Sequence, residues 1–405
     1  MRALAAYSIV VYHVWLYGAP DGGSVDLGPL TKGFDNLRAG VTLFFVLSGF
    51  LLFRPYVSSA LRGRPAPSLG NYLRNRALRI IPAYWVILLL VAVLFHRSLL
   101  EAPKQLLANM FFLQDYVTAY MPHLNGGVGI VPAWSLAIEV VFYVTVPLLG
   151  GLAITLAARA ALPPTAAVVA PIVVMVAVGI GAKLAQRALE FGWRWELSFL
   201  THADWFAAGM AVAVLRVLWE DGRLPLPRGW RPAALVAAGV IALVAAKLYY
   251  AGTLSLVEYQ SLIAVSCAIL LALVVFAAEQ SRTIRFLTWR PVFLAGLASY
   301  SLFLWHEPLV RAFRDAGLTL DGTGGFVVNL LLVSLVSGAA AGLTYAYVER
   351  PALARKRIWQ SNEEAATVEA ATVEAATVEA APVETVRGAE PMPPAAPSAV
   401  GAGSR

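Results

Sequence analysis

RALAAYSIVVYH, residues 2–13, decides how the chain is read. Arg2 and His13 bracket an uncharged apolar run, and the histidine lies inside it. An ionisable group at membrane depth is costly, so an intramembrane histidine is a functional-site candidate by default. Eleven positions are almost three helical turns, which puts Arg2 and His13 on one helix face, about 16 Å apart along the axis. A cation at the membrane surface is thereby aligned with a titratable group at mid-bilayer.

The rest of the chain agrees with a membrane setting. Hydrophobic residues make up 59% of the 405 and charged residues 14%, with a mean hydropathy of +0.69. Soluble domains are about half apolar and about a quarter charged. The formal net charge of +7, carried mainly by arginine, fits cytoplasmic loops better than nucleic-acid binding. Cys267 is the single cysteine, so no internal disulfide forms. The first apolar segment carries His13 and lacks a small-residue cleavage site, so it is not read as a cleavable signal peptide.

A span needs about 17–25 mainly apolar residues. About ten such segments are expected, near 3–20, 38–57, 80–96, 131–155, 165–186, 198–219, 232–250, 258–278, 291–312 and 324–348. The predicted fold class is an all-α polytopic membrane helical bundle over 1–358. With the amino terminus inside, roughly 21 basic residues fall on the cytoplasmic side and roughly 10 outside. Both termini are therefore expected in the cytoplasm. Residues 359–405 hold repeated EAATV units and a Pro/Ala/Gly run, a low-complexity stretch that cannot bury a core and is expected to be a disordered cytoplasmic tail.

Counting along these spans puts Glu139 about 12 Å below the outer end of the fourth, near the level of His13. A carboxylate there could fix the imidazole tautomer and raise its basicity. Ser135 and Tyr143 share the Glu139 face, where hydrogen-bonded helix packing explains them. Ser48 and Gly49 are assigned to close helix packing. His306 is expected high in the ninth span near the outer face, where it and Trp134 are acceptor-side candidates. A structural role at a proline-terminated helix end accounts equally well for His306 in HEP, and an interfacial belt for tryptophans such as Trp134, Trp193 and Trp205. His202, His96 and His123 carry less weight. The loop from Asn109 to Pro132 is a candidate acceptor-facing lid. No HExxH and no cysteine pair occur, so no metal site and no resident cofactor are expected. Sparse intramembrane charge also suits a transporter or flippase, which stands as the alternative class.

Seven runs then occur in order: RALAAYSIVVYH, GVTLFFVLSGFLL at 40–52, RNRALRIIPAYW at 74–85, LLANMFFLQ at 106–114, WSLAIEVVFY at 134–143, SYSLFLWHEPL at 299–309 and YVERP at 347–351. As an ordered set they closely resemble the acyltransferase 3 family of integral membrane acyltransferases, from residue 1 to about 355. The resemblance implies about ten spans and transfer of an acyl group, usually acetyl, from cytoplasmic acyl-CoA to a hydroxyl. The acceptor would be a cell-envelope glycan or a secreted metabolite, in a bacterial plasma membrane.

The family's Arg-x10-His element falls on Arg2 and His13, its RxxR element on Arg76 and Arg79, and its acidic position after Trp-Ser on Glu139. That implies Arg2, Arg76 and Arg79 as the phosphate-binding set, although positive-inside topology explains the last two equally well. His13 would be the general base, with an acyl-imidazole as the other possibility, and Glu139 would orient it. Three departures stand out. Members usually have several residues before the arginine matched by Arg2, so the start is expected further upstream and the first helix end weakly anchored. Val140 replaces the second acid that many members carry. No SGNH-type hydrolase domain follows the last span, so any second transfer activity is expected from a separate protein.

Overall fold

In a computed structural model, residues 1–117, 129–159, 162–278 and 280–355 are described, and among them the chain is helical with no strand. The expected low-complexity tail and His123 lie outside these residues, as does much of the expected acceptor-facing loop. Ten helices match the ten expected spans: α1 (Arg2–Tyr17), α2 (Ala39–Leu61), α3 (Leu69–Leu94), α4 (Trp134–Ala158), α5 (Pro164–Leu189), α6 (Phe199–Glu220), α7 (Trp230–Tyr250), α8 (Leu256–Val275), α9 (Ser299–Asp315) and α10 (Gly322–Thr344). Eight helical stretches, those carrying α2 to α8 and α10, are long and apolar enough to cross a membrane. The other two, α1 of 16 residues and α9 of 17, are shorter and pack on each other.

Local signals set several ends. Ser68 caps α3 by accepting from the Asn71 N–H, Ser255 and Glu258 form a capping box on α8, and Asp321 caps α10. Prolines lie inside α2, α3, α4, α5 and α9, as membrane helices tolerate when neighbours satisfy the freed backbone groups.

Helix α2 is the hub and touches α1, α4, α6 and α8. Its crossing with α6 is made by two glycines. A Cβ on Gly49 would stand 2.1 Å from the Phe206 carbonyl oxygen, and one on Gly209 would stand 1.9 Å from that of Val46. Small residues let the two backbones meet where lipid supplies no hydrophobic drive between helices. Phe45, Phe142 and Phe206 stack beside this crossing. Gly49 thus fills the packing role expected of it. Ser48 does more, since it donates to Glu139.

Two boundaries differ from those expected, and each bears on a functional residue. Helix α3 begins at Leu69, not near 80, so Arg76 and Arg79 ride on a helix three residues apart and share a face. The fourth span runs Val131–Ala158, starting where expected, and opens with a buried turn, Val131–Ala133, ahead of α4. The ninth span is broken at Ala298 into Arg290–Leu297 and α9.

Candidate active site

The uninterrupted α1 preserves the Arg2–His13 separation of about 16 Å. At its amino-terminal end, Arg2 lies in the electrostatic field of Arg76, Arg79, Glu139 and Tyr143. Glu139 accepts from the Ser48 hydroxyl at 2.5 Å and from the Tyr143 hydroxyl. Glu349 accepts from Ser301 at 2.5 Å and interacts with Arg79 and Arg2. A π-helical turn, Tyr345–Glu349, ends α10 and carries this carboxylate, as such turns often do at functional sites. The end of α1 expected to be weakly anchored is therefore set among charged groups from α3, α4 and the turn after α10.

Among the described residues this cluster leaves several buried polar atoms open, Glu349 Oε2 among them. Arg2 Nε, Arg76 Nε, Tyr56 Oη and Tyr72 Oη are buried without a hydrogen-bond partner among the described residues. Arg76 stands 5.9 Å from the centre of the Tyr72 ring, and the Tyr56 and Tyr72 rings are 6.3 Å apart. Buried donors left open are costly, and a ligand rich in oxygen acceptors would satisfy them.

At the other end of the α1 face, His13 Nδ1 is 2.9 Å from His306 Nε2. The pairing expected between His13 and Glu139 is not made. Trp134 lines the same cavity as His13, while Glu139 lies about 7.5 Å further along the helix, bonded to Ser48 and within the field of Arg2. His306 is not left at a helix end but meets His13. The break at Ala298 starts α9 deep enough to set His306, fully buried, against His13.

The hydrogen-bond chain fixes the tautomers. His306 Nδ1 lies 3.2 Å from the Leu302 carbonyl, which can only accept, so Nδ1 carries the proton. A neutral His306 then has its lone pair on Nε2, and His13 Nδ1–H donates to it. Neutral His13 keeps its lone pair on Nε2. The Tyr17 ring stacks on His13 at 5.7 Å and 10°.

His13 borders a cavity of about 340 Å³ whose wall includes Tyr12, Trp134, Trp193, His202 and Trp205. Trp134, Trp193 and Trp205 therefore share the wall of one cavity. His202 was given little weight from the sequence. It is held by the Ser198 carbonyl at 2.9 Å, with its ring 5.7 Å from Trp134 and 4.3 Å from Trp205. Its three-residue spacing from Trp205 was the available signal, since it places both on one helix face. Glu307 and Glu349, both buried, were visible only as members of the HEP and YVERP runs, and buried Arg311, two residues past the first run, carried no signal. Among the described residues no group of three or more His, Cys, Asp or Glu is placed to hold a metal ion.

The bundle thus carries a charged cluster and a histidine-lined cavity at opposite ends of one helix face. The family model described as acyltransferase domain matches residues 1–348, and the chain belongs to that family, acyltransferase 3. It is thus a multi-pass membrane acyltransferase, and the transporter alternative gives way. Among its relatives, the exopolysaccharide production protein ExoZ of Rhizobium meliloti is 28% identical over 79% of this chain and 90% of its own length. The O-acetyltransferase OatA of Staphylococcus aureus is 24% identical over 87% of the chain and 56% of its own length. The putative peptidoglycan O-acetyltransferase YrhL of Bacillus subtilis is 26% identical over 87% and 54%. The chain thus spans most of ExoZ but only about half of OatA and YrhL. No solved structure matches.

Proposed function

We propose that this protein moves an acyl group, acetyl in the first instance, from cytoplasmic acyl-CoA to a hydroxyl of an envelope glycan or secreted metabolite. The observation that carries the reading is the pair of sites on one α1 face: unsatisfied buried donors around Arg2, and His13 at a cavity about 16 Å away. Arg2, Arg76 and Arg79 hold the phosphates of the donor, for which guanidinium groups are suited. The pantetheine arm, of similar length to that separation, brings the thioester to His13. The positive-inside bias supports a cytoplasmic position for the arginine end and for both termini, in a bacterial plasma membrane. The names of OatA and YrhL support an O-acetyl product, and those of ExoZ and YrhL a glycan acceptor.

His13 Nε2 takes the proton of the acceptor hydroxyl as its oxygen bonds to the thioester carbonyl carbon. The C–S bond breaks, and the departing CoA thiolate takes the proton back from the imidazolium. His306 holds the His13 tautomer that makes this possible. Trp134, with the other aromatic walls, binds the acceptor. Glu139 belongs to the donor end in this scheme, where it balances the arginines and orients Arg2.

Membranes containing the protein are expected to release free thiol from acetyl-CoA when given an extract of a deletion strain, in which unmodified acceptor accumulates. Full activity in His13→Ala would remove the central claim.

A further inference from the structure

Starting at the residue after His306, α9 carries a buried ion pair that the proposed chemistry does not use. Glu307 is fully buried and Arg311 is 5% exposed, with Arg311 Nε 2.7 Å from Glu307 Oε1. A buried pair of this kind is a weak source of stability, because desolvation offsets most of the attraction. Its placement is more informative. Both side chains reach the same short segment of another part of the chain. Arg311 Nη2 donates to the Gly129 carbonyl at 3.4 Å, and the Val131 N–H faces the Glu307 carboxylate at a geometry short of a full hydrogen bond. Gly129 has φ +101, and the buried turn Val131–Ala133 packs against α9. That turn delivers Trp134, whose ring meets His202 and Phe45.

We infer that Glu307 and Arg311 are positioning residues of the acceptor site: the pair clamps residues 129–133 to α9 and so fixes the Trp134 wall relative to His13. One helix then registers both parts. His306 sets the base, and the next turn sets the wall that the acceptor leans on. The chemistry suits the task, since a charge pair can hold two backbone groups of a loop in a dry site where an apolar contact would let them slide. This rests on the reading that the His13 cavity receives the acceptor.

The test uses membranes containing the full chain, acetyl-CoA as donor and serial dilutions of the deletion-strain extract as acceptor, with thiol release as readout. Arg311→Gln, and the neutral pair Glu307→Gln/Arg311→Gln, are expected to raise the half-saturating amount of extract about tenfold, with half-saturation by acetyl-CoA within about twofold of the parent. Arg311→Lys keeps the charge but loses the planar fork, so it should shift the same quantity less. In a Trp134→Phe background the Arg311→Gln effect should largely vanish, because both act through one wall. Equal shifts for donor and acceptor, a loss confined to protein amount in the membrane, or full additivity with Trp134→Phe would overturn the inference. His13→Ala in the same assay separates the two claims. Retained turnover there defeats the reading of the cavity, whereas an inactive His13→Ala beside additive Arg311 and Trp134 variants defeats only the clamp.

Discussion

The two ends of the Arg2–His13 face are built from opposite materials. Around Arg2 the side chains are charged, come from α1, α3, α4 and the turn after α10, and leave buried donors open. Around His13 the wall is mainly aromatic and aliphatic, and the histidine nitrogens that face each other satisfy each other. The contrast separates binding from chemistry. A phosphate-bearing donor calls for fixed positive charge and donors that wait for it, whereas proton transfer calls for a neutral imidazole with a defined lone pair and a dry surround. In the proposed scheme, a donor long enough to reach from one region to the other joins them.

The largest expected effect comes from His13→Ala, which should lower thiol release by about a thousandfold at saturating donor while leaving acetyl-CoA half-saturation nearly unchanged. His306→Ala should act in the same direction and less strongly, since it removes the tautomer lock and not the base. Next come Arg76→Gln and Arg2→Gln. Each should raise the half-saturating acetyl-CoA concentration by about 10- to 100-fold, the value of one charge-assisted hydrogen bond. Loss of maximal rate in the arginine variants, without a change in donor half-saturation, would break the division of labour.

Glu139→Gln is the sharper and smaller test, because sequence and structure assign the residue to different ends. A partner of His13 would mainly control the maximal rate and its pH dependence. A partner of Arg2, bonded to Ser48 and Tyr143, should mainly raise donor half-saturation, by about threefold to tenfold. The kinetic split in this one variant decides which region owns the carboxylate.

Much of this arrangement was legible in the sequence. Eight of the ten expected spans followed from apolar length, and the Arg2–His13 face followed from helical period alone. Depth across different helices was not legible. Glu139 was matched to His13 by counting along separate helices, whereas it bonds Ser48 and lies in the field of Arg2. The contact of His306 with His13 was equally hidden, because hydropathy reads straight through the break at Ala298. Period fixes which residues of one helix share a face, but only packing fixes how far one helix is shifted along another. The glycines that set one such relation, Gly49 and Gly209, carry no chemical mark of their partner.

Asp115 offers the smallest expected effect and extends the comparison from function to stability. It lies in the short helix Gln114–Val117, outside the spans, with 1% exposure and both carboxylate oxygens unpartnered among the described residues. Its neighbour Gln114 donates to the Ala133 carbonyl, which ties this segment to the turn before Trp134 and so to the apolar region. Burial pushes the Asp115 carboxyl from 3.8 up to about 7. Between those values the folded chain holds a proton that the unfolded chain has released, so stability falls as pH rises from about 4 to about 7 and is level above. The slope has a ceiling of about 1.4 kcal/mol per pH unit for one proton. Asp115→Asn keeps the shape and removes the titration. Thermal unfolding in detergent should therefore show a midpoint that drops toward neutral pH in the parent and drops less in the variant, and parallel curves would mean that the carboxyl is already satisfied in the folded membrane protein.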